Sequence, residues 1–192
     1  MLDLSSLRAA ALTLVATAIA LPSSLAAQAT TRPTFGVSAG ASFPTGDFAK
    51  EVSTGFDVAA HIGFRPALSP IGLRVEGMYD QFDLKNTGGD VRAKILAGTA
   101  NAVIMSSSAP GMLRPYFIGG VGVYNLKVSS SSLNASSNSE TKFGVNGGAG
   151  LDLALSGINV FAEARYHYMF TKDNSTGAVN TGFVPLVVGV RF

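Results

Sequence analysis

Hydrophobic and polar positions alternate along most of this chain with a period of two. In VFAEARYHYMF, residues 160–170, Val160, Ala162, Ala164, Tyr166, Tyr168 and Phe170 share one face, and Glu163, Arg165 and His167 share the other. FGVSAGASF sets Phe35, Val37, Ala39, Ala41 and Phe43 against glycine and serine, and FDVAAHIGFR sets Phe56, Val58, Ala60, Ile62 and Phe64 against Asp57, His61 and Arg65. LRVEGMYD opposes Leu73, Val75 and Tyr79 to Arg74, Glu76 and Asp80; LAGTANAVI opposes Leu96, Ala100, Ala102 and Ile104 to Thr99 and Asn101. FGVNGGAGLDL opposes Phe143, Val145, Ala149, Leu151 and Leu153 to Asn146, Asp152 and glycines. VPLVVGVRF opposes Leu186, Val188, Val190 and Phe192 to Arg191. PYFIGGVGVYN is apolar on both faces, and Phe117, Val121 and Val123 are placed outward. Such alternation predicts β-strands, not helices.

The pattern predicts eight strands whose connections alternate in kind. Long polar loops fall near residues 45–55, 83–90, 128–141 and 171–182. Shorter connections are PALSPI, SSSAPGML and SG, the second of them little shorter than one long loop. An even number of strands of about ten residues, with short turns alternating with long loops, describes an outer-membrane barrel. A soluble sandwich also alternates, but would carry more lysine and glutamate on its surface.

Composition sharpens the choice. Charged residues are 14% of the 192 and hydrophobic ones 47%, and mean hydropathy is positive. The net charge is +2, so the pI near 9.0 reflects few charges rather than a basic surface. No Lys/Arg cluster argues for nucleic acid. The absence of cysteine excludes disulfides and thiolate chemistry.

Residues 1–29 read as a secretory signal peptide: Arg8, an apolar run over residues 9–21, then small residues allowing cleavage after Ala27 or Ala29. That run is too short to span a bilayer, and no later one approaches the roughly 18 residues of a membrane helix. The remainder, 30–192, is then one β-domain, and a membrane-spanning β-domain must be a closed barrel. Phe43, Phe56, Phe143, Phe170 and Phe183 fall where strands meet long loops, and Phe35, Phe64 and Phe192 at the opposite ends. This placement suggests two aromatic girdles around an apolar band.

LRPYFIGGVGVY, FGVNGGAGLDL, FAEARY and the terminal PLVVGVRF resemble the small eight-stranded outer-membrane β-barrel family, the relatives of the OmpA transmembrane domain, OmpX and the opacity proteins. The resemblance covers about residues 34–192. It implies an antiparallel up-and-down transmembrane barrel in a Gram-negative outer membrane, with both chain ends in the periplasm. It also implies that Phe192 is the C-terminal aromatic signal read by the barrel assembly machinery.

On this reading the polar face lines a lumen just wide enough for side chains to fill. Asp57, His61, Arg65, Arg74, Glu76, Asp80, Asp152, Glu163, Arg165 and Arg191 form the expected lumen network, and unpaired buried charges are costly enough that they should pair. Counting across the turns sets His61 opposite Glu76, and Glu163 near Arg191.

The resulting expectation is a structural or surface-interaction role, with the lumen filled by a salt-bridged network and the external loops contacting the environment. The alternatives are a small solute pore, using the same charges, and a lipid A-modifying enzyme. The last needs a serine and a histidine within hydrogen-bond reach, and neither His61 nor His167 has a spacing that shows this. No catalytic, cofactor or metal residue is assigned. The expected partners are outer-membrane lipid and lipopolysaccharide, the assembly machinery, and an unspecified extracellular ligand. The serine-rich SSSSLNASSNSE loop reads as a plain solvated linker, with an adhesive surface as the less common alternative. The barrel is expected to be a monomer.

Overall fold

The computed structural model describes residues 33–66, 69–85, 91–106, 112–130, 139–170 and 181–192. The expected signal segment lies outside the described residues, as do most of the two serine-rich and asparagine-rich loops. Eight strands are present: β1 Thr34–Gly46, β2 Gly55–Phe64, β3 Ile71–Asp83, β4 Val91–Met105, β5 Leu113–Ser130, β6 Ser139–Ala154, β7 Asn159–Met169 and β8 Thr181–Arg191. A short helix, α1 Phe48–Glu51, sits in the first long loop.

Each strand pairs antiparallel with the next, and β8 returns to β1, closing the barrel. Closure is stitched at the chain's last residue: Phe192 N–H donates to Phe35 O at 2.9 Å, and Phe35 N–H donates to Phe192 O at 2.8 Å. No sheet edge is left, which removes both a template for aggregation and a row of unpaired backbone groups.

Burial follows the period-two pattern inside out. Leu73, Leu96, Phe117, Val121, Val188 and their neighbours are exposed, while Asp57, Arg74, Glu76, Asp152, Glu163 and Arg165 are buried. An apolar patch encircling a protein is untenable in water. It is the required outer face in hydrocarbon, where strands alternate apolar-out and polar-in. On β5, Phe117, Val121 and Val123 do face outward, leaving Tyr116, Ile118 and Tyr124 inside.

Two expectations need correction. Phe183 is not in a girdle: it is fully buried in the lumen, whereas Phe43, Phe56, Phe143 and Phe170 are exposed. Its odd position in β8 decides this, because Leu186, Val188 and Val190 hold the outward face. The strands are also not uniformly about ten residues long. β4, β5 and β6 have 15, 18 and 16 residues. At about 3.3 Å per residue and a tilt near 45°, β5 rises on the order of 40 Å against an apolar band of about 25 Å. These three strands therefore stand beyond the band at the long-loop end, and β5 and β6 take in residues 128–130 and 139–141, read from sequence as loop.

Candidate functional site

The lumen is filled in layers from the end where β1 begins and β8 ends, the terminal mouth, to the long-loop end. At the terminal mouth, Arg191 Nη2 donates to Asp152 Oδ1 at 2.6 Å and Asn159 Nδ2 donates to Asp152 Oδ2 at 2.9 Å. The expected Glu163–Arg191 pair is not formed. β7 and β8 set Glu163 across from Val187, and Arg191 across from Asn159. Counting across the long last loop misjudged the offset by four positions.

The next layer is a closed quartet. Glu163 receives a two-pronged contact from Arg74, with Nη1 to Oε2 at 2.8 Å and Nη2 to Oε1 at 2.7 Å. Arg74 Nη2 also donates to Glu76 Oε2 at 2.7 Å. Arg165 reaches both acids, Glu163 at 2.7 Å through Nε, and Glu76 through Nη2. The order on the two strands produces this. β3 carries Arg74 then Glu76, while β7, which runs the same way across the barrel, carries Glu163 then Arg165. Equal levels therefore bring opposite charges together, and two acids balance two bases across the full bore. His61 stands opposite Glu76 in the β2–β3 register, as counted from sequence, with its Nδ1 3.8 Å from Glu76 Oε2.

Glycines open the space the quartet needs. Tyr116, Gly150 and Glu163 occupy one row across β5, β6 and β7. Tyr116 lies over Gly150 and donates its hydroxyl to Glu163 Oε2 at 2.7 Å. A Cβ at Gly150 would run into the Tyr116 ring, and one at Gly148 into the Ala164 carbonyl and then Arg165. Gly150→Ala is expected to cost about 1–3 kcal/mol by overpacking, read as a lowered urea midpoint for unfolding from lipid bilayers; an unchanged midpoint would show that Tyr116 moves aside freely.

Above the quartet lie Asp57 and Asp80, directly opposed across β2 and β3, while buried Thr99 and Asn101 of β4 stand opposite Glu76 and Arg74, and buried Asn146 opposite His167. The long-loop end is closed by apolar packing. His167 stacks on Phe183 with centroids 5.0 Å apart, and its Nδ1 meets the Tyr124 hydroxyl at 2.9 Å. Phe82 packs edge-on against Phe183 at 5.9 Å and against Phe48 of α1 at 5.2 Å. Val52, Met78, Ile95 and Met169 complete this cap.

Sequence reasoning missed the cap. Its strand residues were legible from parity, as the inward members of their strands. Phe48 and Val52 lie four apart in DFAKEV, a spacing that sets two side chains on one helical face and was the available signal for α1. Among the remaining network residues, Arg65 places Nη1 2.6 Å from Met105 Sδ at the terminal mouth.

Known proteins carry the same architecture. Residues 11–192 match the model of the outer membrane protein beta-barrel domain. Neisserial surface protein A aligns over 84% of this chain and 97% of its own, with 19% identity and a TM-score of 0.65. The N-terminal β-barrel domain of Pseudomonas aeruginosa OprF aligns over 85% and 100%, with 18% identity and a TM-score of 0.50. A major outer membrane protein of Thermus thermophilus aligns over 84% and 99%, with 15% identity and a TM-score of 0.50. At these identities the likeness is one of fold. No curated protein matches the chain.

Proposed function

Because the chain belongs to the outer membrane protein β-barrel domain family and is an eight-stranded outer-membrane barrel, we propose that it works through its wall and its long loops, not by passing solute. The observation that carries this is the double closure of the bore. The Arg74–Glu76–Glu163–Arg165 quartet crosses it, and the Phe48–Phe82–Phe183 cap seals the long-loop end behind it. A path through both would have to break paired buried charges and then wet an apolar plug. In this reading the chain ends face the periplasm, the long loops face outward, and Phe192 is the aromatic terminus that the assembly machinery reads. The closed sheet, with no free edge, fits a monomer.

The wall also offers a lipid contact. Lys94 and Lys127 are directly opposed across β4 and β5, beside Tyr79 and Asn125, lining a groove of about 310 Å³. Like charges directly opposite one another destabilise a sheet, and an anionic partner offsets this. With the long loops outside, that partner is a phosphate of outer-leaflet lipopolysaccharide. Lys94→Gln with Lys127→Gln is expected to lower lipopolysaccharide retained on the purified barrel several-fold, measured by quantitative phosphate assay; retention equal to the native protein would remove this contact.

Single-channel recording in a planar bilayer tests the main proposal. The refolded, heat-modifiable protein is expected to be silent. Discrete conductance steps would overturn the sealed reading in favour of a small pore lined by the same charges.

A further inference from the structure

A cavity of about 280 Å³ occupies the terminal mouth of the lumen, below the quartet. Arg65, Arg114, Arg191, Arg74, His61 and Asn159 contribute to its lining. Its charges do not balance. Arg74 directs both of its terminal nitrogens to Glu76 and Glu163, leaving only its Nε without a partner. That leaves Arg65, Arg114 and Arg191 to share one carboxylate, Asp152, whose two oxygens are already taken by Arg191 and Asn159.

The turns at this end cannot supply the missing charge. Residues 66–70, 106–112 and 155–158 contain no acid, and the charged residue next before β1 in sequence is Arg32. Arg65 has a thioether as its hydrogen-bond partner, which is a weak acceptor, and its Nε is buried with no partner. A second observation points the same way. His61 lines the inner wall of the cavity and is only 4% exposed, yet neither of its ring nitrogens has a hydrogen-bond partner. Its 3.8 Å approach to Glu76 is too long to count as one. A neutral imidazole always carries one N–H donor, and a buried polar group left without a partner is costly. The mouth thus presents three guanidinium groups and an unsatisfied imidazole around a void, and Asp152, already engaged by Arg191 and Asn159, is the one side-chain carboxylate the described residues bring to it.

We infer that this mouth is a binding site for one phosphoryl oxyanion, held by Arg65 and Arg114 at the rim and met from inside by His61. Arginine forks match the oxygens of phosphate in pairs. The volume admits a phosphate or a small phosphomonoester and excludes a polymer. The site is distinct from the quartet and from the lysine pair on the wall, and it requires no conduction through the barrel.

The test is isothermal titration of the refolded full chain, in a maltoside detergent that carries no phosphate, with inorganic phosphate and with glycerol phosphate. Saturable binding near one equivalent is expected. Binding of both probes marks recognition of the free oxyanion; binding of glycerol phosphate alone marks a headgroup-type monoester. Arg65→Gln with Arg114→Gln should weaken binding at least tenfold while native heat-modifiable gel mobility persists. Arg92→Gln, at an exposed residue of the long-loop end paired with Asp83, should leave it unchanged. The native sequence provides an independent readout, a shift of the His61 ring signals in NMR on phosphate addition. No saturable binding of either probe, unmoved His61 signals, or full affinity in the folded double variant would overturn the site.

Discussion

Glu163→Gln is expected to destabilise the barrel by roughly 3–5 kcal/mol, the cost of leaving a buried charge without its partner. Glu163 is 2% exposed and accepts from Arg74 twice, from Arg165 and from Tyr116. Glutamine keeps the shape but replaces one acceptor oxygen with a donor that faces a guanidinium. Four donors then converge on half the acceptor capacity, at a site buried from bulk solvent. The readout is the urea midpoint for unfolding from lipid bilayers. A midpoint equal to that of the native protein would mean the quartet contributes no net stability. Replacing Arg74 and Glu163 together by leucine discriminates further. Apolar substitution of a whole buried pair is often neutral or stabilising, so the double variant should recover much of the loss. Non-additivity of that kind is the signature of a direct interaction. Asp152→Asn makes a useful contrast, because Arg191 keeps 15% of its side chain exposed and water can compensate at the mouth.

Phe183→Ala carries the second large effect, about 3–5 kcal/mol for truncating a buried aromatic. Phe183 stacks on His167 and meets Phe82 edge-on, and it has no exposed surface. Its loss leaves a void between β8 and the Phe48–Phe82 pair that the closed backbone cannot collapse to fill. Phe143→Ala is the matched control, since Phe143 sits on the outer wall at 69% exposure. A girdle residue loses contact with lipid and little else, so its truncation should shift the midpoint several-fold less. Equal shifts for the two variants would return Phe183 to the outer girdle and remove the cap. The cap and the quartet also predict different conductance behaviour. Phe183→Ala alone should stay electrically silent, because the ion pairs below it still cross the bore.

The alternation of Phe35 to Phe43, of Phe56 to Phe64 and of Val160 to Phe170 was enough to read the strands and their facing. A half-lipid, half-polar environment leaves a strict period of two, and a one-residue slip would turn every charge toward hydrocarbon. His61 opposite Glu76 was legible for the same reason, since a short turn fixes register. Glu163 with Arg191 was not: the loop between β7 and β8 is long, and long loops do not transmit register. The extension of β4 to β6 was hidden because beyond the apolar band both faces are wet, and the alternation that marks a strand fades there. Phe183 lies beside a long loop, as a girdle residue would, but its parity in β8 turns it into the lumen.

The sequence by itself determined an eight-stranded antiparallel barrel, which residues face lipid and which face the lumen, and that the lumen charges nearly balance. Those properties depend on local periodicity and on the solvent on each side, and both are written residue by residue. The tertiary structure alone decided which charges meet. Arg74 and Glu163 are 89 residues apart and on opposite walls, so their pairing depends on closure and on the accumulated register of every strand between them. The same closure folds α1 over the bore and leaves three arginines around one aspartate at the mouth. The physical reason is that ion pairs and packing act over a few ångströms in space, while a single sequence records only neighbours along the chain.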